Sequence, residues 1–202
     1  MLDPLIAWQR LRAGNERVGA LHGHRAGTSA GPPTAVVFRC ADSAVASETV
    51  FGQSAGSLIE VSTWGQVVDT GVLAGIEHAI ETLAVPLIVV LGHPGCQAIS
   101  NAVRAWNDAE LPDGATRAVI ERVFGSIVRR GAGAESVDEV ATAHITDTGL
   151  SLLARSPLIA RRVNAGSCGI VCATTRPGDG RIRTYATVGP VGESADALLE
   201  CV

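Results

Sequence analysis

Two short segments carry side chains capable of metal chemistry: Phe38-Arg39-Cys40-Ala41-Asp42-Ser43 and Leu91-Gly92-His93-Pro94-Gly95-Cys96. Each follows an apolar run of the kind that forms a buried strand. Cys40 therefore closes one predicted strand, and His93 and Cys96 lie on the turn that leaves another. In open parallel sheets, ligand sites gather at the carboxyl ends of strands. Two thiolates and an imidazole brought together there suit tetrahedral zinc, with a fourth position for water or a further ligand. Asp42, two residues beyond Cys40, is placed either to fill that position or to accept a hydrogen bond from a water held in it. In the first case the site is closed. In the second, zinc lowers the pKa of the water towards about 7 and yields a nucleophile for an electrophilic carbon.

Other readings of the same residues compete. Cys40 and Cys96 can be small core residues and His93 a satisfied turn histidine, since unoxidised cysteine is often buried for packing alone. A Cys/His nucleophilic pair would need a depressed thiol pKa and an orienting third group. A phosphatase-type loop is disfavoured, because Ala46 and Ala102 stand six residues after Cys40 and Cys96, where an arginine would have to cradle the oxyanion. Elsewhere, Cys168 and Cys172 share one side of a predicted strand and read as core, and Cys201 as a terminal bystander. His78 reads as solvated beside Glu77 and Glu81, His144 as capping or bridging helices, and Tyr185 as strand packing. His22 and His24 lie in a Gly-, Ser- and Pro-rich stretch and are candidates only for adventitious metal.

The positioning elements follow from periodicity. Asp3 and Pro4 form an N-cap and first helical residue, and Leu5, Trp8 and Leu11 share a face of a helix expected to run to Arg17. Residues 19–33 lack a periodic pattern and are expected to form a loop or arm. Apolar β-type runs follow at Thr34–Phe38, Leu58–Ser62 and Pro86–Leu91, with a helical pattern at Thr70–Leu83 between the last two. Strand, helix and strand in that order imply a parallel crossover, and largely apolar strands imply helices on both faces. Further helices are predicted at Gln97–Trp106, Thr116–Val128 and Val137–Ala154. A hairpin of Gly169–Ala173 and Arg181–Ala186 turns at Pro177 and Gly178.

The expected fold is α/β, a mostly parallel sheet flanked by helices, in one domain spanning residues 1–202. With 202 residues and 47% hydrophobic content the chain can bury one substantial core, and 3% aromatics favours close helix-on-sheet packing over a sandwich. A formal net charge of −4 without a dense basic cluster argues against nucleic acid as a partner. No apolar run approaches the roughly 20 residues of a spanning helix and the N-terminus lacks a leader pattern, so no membrane partner and a cytoplasmic location are expected. Five cysteines are too few for a disulfide scaffold and odd in number.

Cys-Ala-Asp-Ser at 40–43, the stretch VLAGIEHAIETLAVPLIVVLGHPGC at 72–96 and Gly-Asn-Glu-Arg at 14–17 resemble the β-class carbonic anhydrases, whose motif is Cys-x-Asp-Ser-Arg followed by His-x-x-Cys. The likeness runs from the first helix to the terminal strands. It implies zinc held by Cys40, His93 and Cys96, carbon dioxide as the small-molecule substrate, and Asp42 as the catalytic carboxylate. It also implies a homodimer or tetramer, with residues 1–33 packing on the partner subunit, Leu58–Ser62 near the dimer interface, and Gln53 approaching the partner's site.

The departures from the family pattern fall near the chemistry. The family's arginine, which grips the aspartate, is replaced by Ala44, and a methyl group cannot stand in for a bidentate guanidinium. Trp64-Gly65-Gln66 replaces the usual Ala-Gly-Asn, and Gln97 the usual glycine, so added bulk and amide groups are expected in the substrate pocket. Ser62 and Val37 stand where some members hold regulatory bicarbonate with arginine and tryptophan, and no such site is expected. Three functions are compatible with this pattern. They are reversible hydration of carbon dioxide, the same chemistry on another small electrophile such as carbonyl sulfide, carbon disulfide or a biosynthetic intermediate, and a non-catalytic homologue whose zinc is closed by Asp42.

Overall fold

The computed structural model describes residues 2–20, 31–131 and 136–192. His22, His24, Cys201 and most of the expected arm lie outside these residues. Five strands form one sheet: β1 (Ala35–Cys40), β2 (Leu58–Thr63), β3 (Leu87–Gly92), β4 (Gly169–Thr175) and β5 (Ile182–Val188). Their order is β2-β1-β3-β4-β5, with β1 through β4 parallel and β5 antiparallel to β4. The helices are α1 (Pro4–Ala20), α2 (Ser47–Val50), α3 (Thr70–Glu81), α4 (Gln97–Asp108), α5 (Ala115–Arg130), α6 (Val137–Arg155) and α7 (Pro157–Asn164), with a 3-10 turn at Trp64–Gln66.

The predicted α/β sheet is present, with most boundaries shifted by one or two residues. Two short elements and one full helix were not predicted. Helix α7 begins immediately after α6 because Ser156 ends one and caps the other, its hydroxyl accepting from Ile159 N, with Pro157 at the first helical position. The Ser-Pro pair was the available signal.

Alternation along the strands divides the core. Val36, Phe38, Ile88, Val90, Ile170 and Cys172 face α3, α6 and α7, and Cys168 joins the same cluster. Ala35, Val37, Leu87, Val89, Leu91 and Val171 face Ala7, Trp8 and Leu11 of α1 and Val50 and Phe51 at α2. Strand β3 is buried along its whole length, as an apolar run without alternation requires. A third cluster gathers Cys40, Cys96, α4 and α5 beyond the strand ends, with Trp64 against it.

Strand β1 leads to β2 on one side, whereas β3 leads through four helices to β4 on the other. The crevice between the carboxyl ends of β1 and β3 is therefore the switch point at which such sheets bind ligands. The Gly14-Asn15 pair explains part of the sequence resemblance. A Cβ on Gly14 would meet Phe51 O at 1.9 Å, so only glycine lets α1 approach that closely. The buried Asn15 side chain donates to Val50 O and Gly180 O, each at 2.9 Å, and accepts from Ile182 N at 2.8 Å. Asn15→Ala would orphan three backbone groups at once. It is expected to destabilise the fold by about 2 to 4 kcal/mol, read as a lower urea midpoint with an unchanged slope.

Candidate metal centre

Cys40 is the last residue of β1, and the Pro94-Gly95 turn after β3 presents His93 and Cys96 across the crevice. Gly95 has φ of +69°, a conformation that suits glycine. One ligand atom from each of Cys40, Asp42, His93 and Cys96 lies within 4.8 Å of the others. The two sulfurs are 3.7 Å apart. Two thiolates bound to one tetrahedral zinc at about 2.3 Å would be separated by roughly 3.8 Å, so the sulfur pair is spaced for that ion.

His93 is oriented for the same role. Its Nδ1 is 3.1 Å from Pro94 O and donates to that carbonyl, which turns Nε2 towards the sulfurs. Nε2 approaches Asp42 Oδ1 to 2.7 Å as an ion pair. Both buried atoms are without a hydrogen-bond partner. Two orphaned polar atoms facing two thiols are what a cation would satisfy. The other oxygen, Asp42 Oδ2, accepts from Gln97 N at 2.9 Å, at the start of α4.

Protonation of the cluster reflects this crowding. The bond with Cys96, and then burial, raises the Cys40 pKa, whereas the bond with Cys40 lowers that of Cys96 against its own burial. Burial would raise Asp42, but Cys40, Gln97 N and the charge of the nearby His93 outweigh it and hold the carboxyl below its ordinary value. Burial would lower His93, but Cys40 and Asp42 raise it. The residue set fits a zinc ion that takes the place of these shared protons. Cys168, by contrast, is pushed up to about 12 by burial, the state of an inert core thiol.

The structure places the other predicted pocket residues unevenly. Ala44 and His93 line a cleft of about 390 Å³, with Val45, Val50, Leu91 and Arg176 among its walls. Trp64 packs against the Cys40 cluster. Gly65 contributes its backbone, its N–H donating to Cys40 Sγ at 3.0 Å. The expectation that Gln66 adds an amide group to the pocket is corrected. Gln66 is buried and donates instead to Phe38 O at 3.1 Å, while Gln97 acts through its backbone N–H and its side chain is exposed. Gln53 is buried and donates to Phe51 O at 2.8 Å.

Arg39 escaped the sequence reading, and His144, expected to cap or bridge helices, has partners that spacing did not reveal. Arg39, on the opposite face of β1 from Cys40, donates to Ser43 O and Val45 O and pairs with Glu60 at 2.8 Å. It braces the loop that carries Ala44, so it does not replace the missing arginine on Asp42. Beneath the site, His144 Nε2 donates to Gly65 O at 2.7 Å, and its Nδ1 is 2.9 Å from Ser126 Oγ. Ser126 Oγ is 3.0 Å from Asp147 Oδ2, and Arg129 grips Asp147 through Nε and Nη2. His144 thus bridges α5, α6 and the 3-10 turn.

A five-stranded α/β sheet with a Cys₂His donor set and a neighbouring carboxylate at its switch point is a candidate metal-site scaffold of the carbonic anhydrase kind. Residues 35–182 match the family described as carbonic anhydrase. The chain is 44% identical over 201 residues to carbonic anhydrase 2 of Mycobacterium tuberculosis, covering 95% of this chain and 97% of that one. It is 42% identical to a carbonic anhydrase of Mycolicibacterium smegmatis, covering 95% and 98%. Among solved structures, a tetrameric β-carbonic anhydrase of Sordaria macrospora superimposes with a TM-score of 0.67 at 20% identity, covering 76% of this chain and 81% of that one. A Coccomyxa β-carbonic anhydrase in complex with acetazolamide gives 0.64 at 21% identity, covering 76% and 72%. The chain belongs to the carbonic anhydrase family, in its β-class.

Because the donors hold protons that an ion must displace, zinc affinity is expected to climb with pH. Between about pH 5 and 7 the apparent affinity should rise more than tenfold per unit, because more than one proton leaves per ion bound. Competition against a chromogenic chelator at several pH values measures that slope.

Proposed function

We propose that this carbonic anhydrase-like enzyme holds one zinc ion through Cys40, His93 and Cys96 and catalyses the reversible hydration of carbon dioxide. The observation that carries this reading is the convergence of two thiols, an imidazole Nε2 and a carboxylate oxygen, with the nitrogen and that oxygen both lacking hydrogen-bond partners. A bound zinc ion would supply Lewis acidity, lowering the pKa of a water in its open position towards about 7. Asp42 would offer Oδ1 as a hydrogen-bond acceptor beside the ion, and Gln97 N–H would hold its other carboxylate oxygen in place. Ala44, Val45 and Leu91 give the substrate an apolar approach beside His93, suited to a small uncharged molecule. The same approach would also admit other small electrophiles, among them carbonyl sulfide and carbon disulfide.

A second reading rests on Asp42 Oδ1, which lies among the ligand atoms and has no arginine to draw it away. In that state the carboxylate is the fourth ligand and the site is closed. The family likeness supports a homodimer or tetramer in which residues 1–33 pack on the partner subunit. Among the described residues no helix is long and apolar enough to cross a membrane. A cytoplasmic location remains part of the proposal.

Stopped-flow hydration of carbon dioxide from about pH 6.5 to 9, on protein of measured zinc content, tests the reading. Rates are expected to scale with zinc and to exceed buffer catalysis clearly. Stoichiometric zinc without turnover at any pH would sink the hydration assignment. Ala44→Arg restores a bidentate partner for Asp42 and is expected to raise the rate at neutral pH by about tenfold or more, the effect of one well-placed charged contact. An unchanged rate would remove the missing arginine as the limiting feature.

A further inference from the structure

The turn at Trp64–Gln66 stands in a conformation its residues do not favour. Gly65 and Gln66 have consecutive positive φ values, +67° and +51°, and the second is uncommon for a residue with a side chain. A Cβ on Gly65 would lie 2.5 Å from Val119 Cγ1, so the backbone is pressed against α5. Two buried side chains hold the turn: Gln66 bonds Phe38 O from the sheet side, and His144 bonds Gly65 O from the helix side. On the opposite edge of the same residue, the Gly65 N–H meets the Cys40 sulfur. One glycine therefore joins a buried imidazole to a candidate metal thiolate.

The hydrogens of this network can be counted. Gly65 O only accepts, so His144 Nε2 carries a hydrogen. Ser126 Oγ lies near three acceptors, His144 Nδ1, Asp147 Oδ2 and Arg122 O. Its hydroxyl donates to Asp147 Oδ2, an oxygen that Arg129 also holds, and Oγ stands 2.9 Å from His144 Nδ1, so the ring is tied at both nitrogens. The chain from Arg129 through Asp147, Ser126 and His144 thus ends in a donor aimed at Gly65 O. An N–H donor on a metal thiolate draws electron density from sulfur and leaves the ion more acidic.

We propose that His144 is a positioning residue for the metal centre: with Ser126, Asp147 and Arg129 it clamps the Gly65 carbonyl so that the Gly65 N–H stays on the Cys40 thiolate. The inference rests on the zinc reading above and adds four residues that touch neither ion nor substrate. Its effect on the reaction is indirect, through the electron density at one ligand.

The test uses the full chain loaded with cadmium-113, with nuclear magnetic resonance coupling between the metal and the Gly65 amide proton as the readout. That coupling passes through the N–H···S bond, and a role in packing alone would not change it. It is expected in the unmodified chain, lost in His144→Leu, which keeps the volume without the donor, and restored in His144→Gln, whose amide can reach the same carbonyl. Zinc affinity should fall about tenfold in His144→Leu and recover in His144→Gln, a magnitude usual for outer-sphere partners of metal ligands. Coupling that persists in a folded His144→Leu, or fails to return in His144→Gln, overturns the proposal. Should His144→Leu not fold, Ser126→Ala decides: it leaves the imidazole in place but unties Nδ1, and an undiminished coupling there overturns the clamp. Cadmium bound with His93 and both cysteine resonances shifted, but no coupling to Gly65, refutes the clamp and leaves the metal reading standing. Failure of the unmodified chain to bind cadmium or zinc removes both.

Discussion

Parallel pairing of β1 with β3, from Val36 opposite Ile88 to Arg39 opposite Leu91, fixes everything at the candidate site. It sets Cys40 at the end of one strand beside the turn that leaves the other. A slip of one residue would turn Cys40 to the opposite face, because strand side chains alternate. The register is held by apolar layers on both faces of β3, which leave no polar face to offer an alternative. The loop after β1 and the His93-Pro94-Gly95-Cys96 turn need only short reaches to complete the donor set. Helix α4, beginning at Gln97, then offers its first N–H to the Asp42 carboxylate.

Charge balance gives Ala44 its meaning. Two thiolates, a neutral imidazole and a dipositive ion sum to zero, while a carboxylate added to the ion leaves the centre with a net negative charge and a weaker pull on any further ligand. The family's arginine keeps the carboxylate charge beside the ion instead of on it. Among the described residues, Cys40, the Gln97 N–H and the nearby His93 act on the carboxylate, and Arg39 is committed to Ser43 O, Val45 O and Glu60. The chain thus relies on a neutral backbone donor where its relatives' pattern uses a cation.

Much of this was legible in the sequence because it is local. Strand ends carrying Cys40 and His93, the glycine of the second turn and the lost arginine all show in short motifs. The sheet followed from apolar runs and one crossover helix. What could not be read depends on side-chain direction or on distant contacts. Gln66 differs little in type from a pocket amide, yet its positive φ turns it to Phe38 O. The bond from His144 to Gly65 spans 79 residues, and no spacing rule joins Ser126, Asp147 and Arg129 to a strand end. Helix α7 was missed for a simpler reason: the same Ser156 that stops α6 also starts it.

Cys40 and Cys96 stand 56 positions apart, and β2, α3 and β3 lie between them. An ion held at both ends is consequently a cross-link in chain topology, closing a long loop as a disulfide would but reversibly and under the control of pH and chelators. The loop it closes contains the edge strand and spans the middle of the sheet. Release of the ion returns conformational freedom to that whole segment, so metal supply bears on the lifetime of the folded chain as well as on its chemistry.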